Sequence, residues 1–186
     1  MKKYQILFLI FFVDFFGCKE KKMKPEESAI SATSIIRGQI HHLDTSYYQI
    51  MKYVTRDGIT DTSYLKREDV KEYAKAFLEL PDISEKNLLR NYSEERIIDA
   101  AQNTLSIIYS AKDEKQEIQK EIIIVNLNDL SSGKVQSIYI DRFSPSKDDT
   151  IQQHLFWQID KFFQVGEIIQ KENDPEKIRL VKITWQ

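Results

Sequence analysis

The chain has 186 residues, of which 41% are hydrophobic and 30% charged, with 27 basic against 29 acidic side chains, five glycines and four prolines. This mixture excludes collagen-like, low-complexity and wholly disordered chains and suits one globular domain, or at most two small ones. A formal net charge of −2 removes the concentrated basic surface that sequence-independent nucleic-acid binding requires, so no nucleic-acid partner is expected.

At the N-terminus, Lys2 and Lys3 precede an apolar run from Ile6 to Phe16, interrupted only by Asp14. Such a run rises about 16 Å as a helix, roughly half the hydrocarbon thickness of a bilayer, and is too short to span it. It reads instead as the apolar part of a secretory signal. The run stops at Gly17-Cys18, and Cys18 is the single cysteine of the chain, so no internal disulfide can form. Phe15-Phe16-Gly17 followed by Cys18 resembles the lipobox of a bacterial lipoprotein signal peptide, a likeness confined to residues 1–18. The resemblance implies a diacylglycerol on the Cys18 sulfur, cleavage after Gly17 and acylation of the new amino group, hence membrane attachment. Two or three acyl chains anchor stably where one holds marginally, each buried methylene contributing about 0.8 kcal/mol.

The expected organisation is therefore a signal peptide over 1–17, a charged flexible tether over 18–25, and a single α+β domain over 26–186. Cleavage removes Lys2, Lys3 and Asp14, leaving 25 basic and 28 acidic residues and a net charge of −3. Lys19-Glu20-Lys21-Lys22 lacks the aspartate that retains some lipoproteins in the inner membrane and the acidic run that exports others. By resemblance this favours the periplasmic face of an outer membrane. The layout is similar to small envelope lipoproteins of Gram-negative bacteria, a likeness that carries no activity with it.

Along the remaining chain, Pro25 with Glu26 and Glu27 suits a helix start, and Ala32, Ile36, Ile40 and Leu43 follow at helical spacing to near Asp44. Tyr47–Tyr53 and the β-branched run Ile59–Leu65 flank Arg56-Asp57-Gly58, which predicts a hairpin. Over Arg67–Leu80, Val70, Tyr73, Ala74, Phe77 and Leu78 define an amphipathic helix ended by Pro81-Asp82. Ser93 is read as capping a further helix that carries Ile97, Ile98 and Ala101, with Glu94 and Glu95 in its first turn. Residues 104–110 alternate as a strand, although helical spacing through Leu105 and Ile108 also fits. Clearer strands cover Glu121–Leu127, Val135–Asp141, Ile151–Ile159, Phe162–Lys171 and Ile178–Trp185, separated by turn chemistry at Asp129–Gly133, Ser144–Asp149 and Asn173–Pro175. Consecutive strands with short links predict an antiparallel β-meander of about five to seven strands, with two or three helices packed on one face.

The glycines lie too far apart to write a dinucleotide-binding fingerprint or a P-loop, and the nucleophile-elbow pattern is absent. Gly166 within a strand predicts a bulge or a close backbone approach. His41 and Asp44 stand three apart on the first helix, but a metal site needs three or four convergent ligands, so neither a metal nor another cofactor is expected. Asn126, Asn128 and Asp129 lack calcium-loop spacing and read as a hairpin turn.

The aromatic concentration from Leu155 to Phe163 puts Phe156 and Trp157 on opposite faces of a strand, and Phe162 and Phe163 likewise. Either both faces find cover, or one of them is an apolar patch for an envelope protein, a glycan or a lipid. The expected role is a lipid-anchored, periplasm-facing binding or assembly module with no catalytic residues. The alternatives are an envelope hydrolase using His154 with Asp148 or Asp149, and a lipid carrier with a Phe- and Ile-lined hollow between sheet and helices.

Overall fold

The computed structural model describes residues 29–128, 134–145, 149–171 and 176–186. Ser31 opens the first helix, α1 (Ala32–Thr45), because its Oγ accepts the Ser34 N–H at 3.0 Å and satisfies one of the free amides of the first turn. The expected start at Pro25 lies outside the described residues, and Ala29–Ser31 are not helical. Ile36, Ile40 and Leu43 form the buried stripe of α1.

The predicted hairpin follows as β1 (Ile50–Arg56) and β2 (Ile59–Tyr64). Asp57 at φ 49° and Gly58 at φ 78° occupy the left-handed region together, the requirement of a two-residue type I′ turn whose twist matches the flanking strands. The expected helix over Arg67–Leu80 is instead a chain of short turns, Arg67–Asp69, Val70–Tyr73 and Lys75–Leu78, broken at Ala74 where ψ falls to 0°. The apolar stripe survives the break, since Val70, Ala74, Phe77 and Leu80 are all buried. One more turn, Lys86–Leu89, completes this connection.

The helix expected from Ser93 does not form. Tyr92–Asp99 is the edge strand β3, paired with β4 (Thr104–Ala111), and Glu94 and Glu95 lie along it rather than in a first helical turn. Ile97 and Ile98, 47% and 68% exposed, mark no buried helical stripe. Cross-strand bonds to β4 supply the backbone partners, and Asp99 turns the chain by accepting the amides of Ala101 and Gln102. The ambiguity at 104–110 thus resolves as strand. β5 (Ile118–Asn126), β6 (Val135–Pro145), β7 (Asp149–Gln158), β8 (Phe162–Lys171) and β9 (Lys177–Trp185) follow.

All nine strands form one antiparallel sheet in the order β2-β1-β9-β8-β7-β6-β5-β4-β3. The described residues are mostly a nine-stranded antiparallel sheet with few helices, more strands than the five to seven expected. The excess comes from β3 and from the hairpin β1–β2, whose β1 pairs with β9 in the register Ile50↔Trp185 to Arg56↔Arg179 and so brings the hairpin onto the C-terminal edge of the meander. Gly166 creates no bulge, because β7 and β8 pair without interruption through His154↔Gly166. The irregularities fall in the β5–β6 ladder instead, between Ile118 and Lys120 and between Ile124 and Val125.

Alternation along the strands buries one set of residues, including Ile123, Ile138, Ile140, Leu155, Val165, Val181 and Ile183, in a cluster shared with Ile36, Leu43, Val70 and Phe77. Its centre is aromatic. Trp157 and Phe163 stack at 4.8 Å, while Phe77 meets them edge-on at 5.1 and 5.8 Å, the offset and T-shaped geometries that ring quadrupoles favour.

Candidate functional site

Trp157 and Phe163, expected as possible binding residues, are both fully buried in this aromatic centre. Register parity decides this, since Trp157 shares its face with Leu155 and Ile138, and Phe163 with Val165 and Ile183. Phe156 and Phe162 stand on the opposite face, half-buried, with ring centroids 5.7 Å apart and the Lys182 ammonium 4.2 Å above the Phe162 ring.

Near Phe156 on that face, His154 meets a carboxylate that the sequence reading did not single out. Asp148 lies outside the described residues and Asp149 begins β7, whereas the register places Asp141 of β6 directly opposite His154. The His154 Nδ1–Asp141 Oδ1 distance is 2.6 Å, and the Tyr139 hydroxyl donates to the same oxygen at 2.6 Å. The contact to Asp141 fixes the orientation of the imidazole. Burial, then the hydrogen bond to Asp141 and its charge, push the Tyr139 phenol up to about 12.

His41 and His42 finish α1 exposed. Asp44 pairs with Lys71 at 2.5 Å, and among the described residues no three His, Cys, Asp or Glu converge as metal ligands. Asn126 and Asn128 do form a turn, the Asn126 side chain accepting the Asn128 amide at 2.8 Å. Cys18 and Asp129 lie outside the described residues.

The most developed polar arrangement lies on the core side of the sheet. On each of β6, β7, β8 and β9 the buried stripe stops at a polar residue: Arg142 after Ile140, Gln153 before Leu155, Glu167 after Val165, Arg179 before Val181. The registers Arg142↔Gln153, Gln153↔Glu167 and Glu167↔Arg179 set these four side by side. A continuous chain of contacts results. Arg142 pairs with Glu117 at 2.6 Å and donates to Gln153 at 3.2 Å, Gln153 donates to Glu167 at 3.0 Å, and Arg179 donates to Glu167 at 3.3 Å.

This row floors a cleft of about 360 Å³ whose opposite wall is Glu72, Tyr73, Lys75, Ala76 and Glu79 of the β2–β3 connection, with Val165 and Val181 beside the floor. The size suits a small molecule. Arg142 and Glu167 keep only 16% and 19% of their side-chain surface, and the Nε atoms of Arg142 and Arg179 are buried with no partner among the described residues. Desolvating such a row costs stability that apolar residues at the same positions would not cost, which points to a use other than packing. Strand parity was the signal for it: continued one step beyond the apolar stripe on four neighbouring strands, it assigns a polar residue to the core side each time.

A separate polar group sits within the core. Glu121, 2% exposed, faces Tyr109 across the β4–β5 ladder. Burial first, and then the charge of Asp82, push its carboxyl up to about 8. Searched against protein-family models, curated proteins and solved structures, the chain matches none of them.

Proposed function

We propose that this protein is a lipid-anchored, periplasm-facing envelope protein whose domain is a non-catalytic binding module, with its helices covering the core side of the sheet and its ligand taken in the cleft between them. The observation that carries the binding role is the hydrogen-bonded row Glu117–Arg142–Gln153–Glu167–Arg179, a charged floor on the face otherwise given to the core. The membrane role rests on the lipobox-like residues ending at Cys18. The packed aromatic centre of Trp157, Phe163 and Phe77 fills the space that a lipid carrier needs hollow, and so argues against that alternative.

A hydrolase is the second reading, favoured by the short His154–Asp141 contact. His154 and Asp141 lie on the sheet face opposite the cleft, so the base and the concave site are separated, which weighs toward the binding module. The anchor is tested with Cys18→Ala expressed from the full-length chain. The wild type partitions with membranes and carries the mass of its acyl groups, and the variant becomes a soluble or unprocessed species. Unchanged membrane attachment and mass in the variant would refute the anchor.

A further inference from the structure

We infer that the cleft takes a zwitterion, an amino acid or short peptide, whose carboxylate docks on Arg179 and whose ammonium docks on Glu72; the inference rests on the cleft being the binding site. Charge placement argues for it. The cleft lining holds three cations, Lys75, Arg142 and Arg179, and three carboxylates, Glu72, Glu79 and Glu167. A compact anion such as phosphate would meet the carboxylates at close range, and a simple amine would meet the guanidinium groups.

The least compensated cation, Arg179, and the unpaired carboxylate, Glu72, lie on opposite walls. Among the described residues, Arg142 pairs with Glu117 at 2.6 Å and Lys75 with Glu79 at 3.5 Å, while Arg179 has one ion pair, at 3.3 Å, with a Glu167 that also accepts from Gln153. Arg179 keeps 40% of its side-chain surface, so donors of its planar fork remain available for a carboxylate, which it can grip through two parallel bonds. Its shortage of negative charge is deepened by Arg56, its direct partner across β1–β9, because like charges set opposite each other in a ladder repel. The Arg56 side chain makes no ion pair or hydrogen bond among the described residues, its backbone being part of the β1 ladders. Across the cleft, Glu72 is exposed on the β2–β3 connection, and its carboxylate also has no partner among the described residues. A molecule with one negative and one positive end satisfies both walls at once, and Tyr73, Val165 and Val181 offer apolar surface to whatever joins them.

The test uses the full mature chain, titrated with alanine, alanyl-alanine and tri-alanine, each also in N-acetylated and C-amidated form, and followed by calorimetry and by NMR shifts of labelled arginine side chains. One length of the free zwitterion is expected to bind best, and blocking either end should weaken it about tenfold or more. Arg179→Gln should cost a similar factor and make C-amidation indifferent, and Glu72→Gln should do the same for N-acetylation. Such crossed indifference is not produced by a merely structural role. If blocked and free peptides shift the arginine signals equally, the cleft binds but the zwitterion assignment fails. If no peptide in any form moves those signals, the inference fails while another ligand class in the cleft stays open.

Discussion

Replacing Glu121 by glutamine should stabilise the protein above neutral pH and leave it nearly unchanged in acid. The side chain is 2% exposed, and its carboxyl is raised from an ordinary value of 4.5 to about 8 by burial and by Asp82. Folding therefore keeps a proton on Glu121 that the unfolded chain releases above pH 4.5, so stability is fully present below 4.5 and is lost as pH rises toward 8. At about 1.4 kcal/mol per pH unit, the penalty is about 3 kcal/mol at pH 7 and at most about 5 kcal/mol above pH 8. Water reaching the carboxyl on local opening would reduce both figures. Glutamine keeps the shape and cannot ionise. Urea unfolding of both proteins at pH 4.5, 7 and 8.5 isolates this group, since all other titrations cancel in the difference. The reasoning predicts a gap near zero at pH 4.5 that widens in favour of Glu121→Gln by at least about 2 kcal/mol at pH 8.5. Stability curves that stay parallel across the range would refute it.

Trp157→Ala should cost about 3–5 kcal/mol in urea unfolding, because the indole is fully buried between Phe163, Phe77 and Trp185 and leaves a cavity they cannot close; a loss below about 1 kcal/mol would mean that this cluster is not the core. Gly166→Ala should be neutral or stabilising by up to about 1 kcal/mol. An added Cβ would meet the His154 carbonyl oxygen at 3.5 Å and Leu180 Cδ1 at 3.6 Å, ordinary contacts, and the backbone there requires no left-handed conformation. Thermal unfolding checks this, and a destabilised variant would show that the approach between strands is tighter than these distances.

Local chemistry was a reliable guide where it acted alone. Asp57-Gly58 specified its turn because few residues accept positive φ twice in succession, and twofold alternation marked β6 to β9 because each strand buries one face. It failed at β3. There three apolar residues at loose helical spacing outweighed, on paper, a strand whose only support is the partner β4. It also overestimated the continuity of the helix over 67–80: the burial of Val70, Ala74 and Phe77 was legible, but the break at Ala74 was not.

The candidate sites divide in the same way. The sequence shows by itself that Phe156 and Trp157 face apart, because side-chain period needs no distant partner. Which aromatic is sealed in and which is left half-exposed, that His154 meets Asp141, and that Arg142, Gln153, Glu167 and Arg179 form one row are matters of strand register. The bonds of that row join residues 11 to 14 positions apart along the chain, and their register is fixed only when the whole core closes, since a slip of one residue would turn every stripe to the other face.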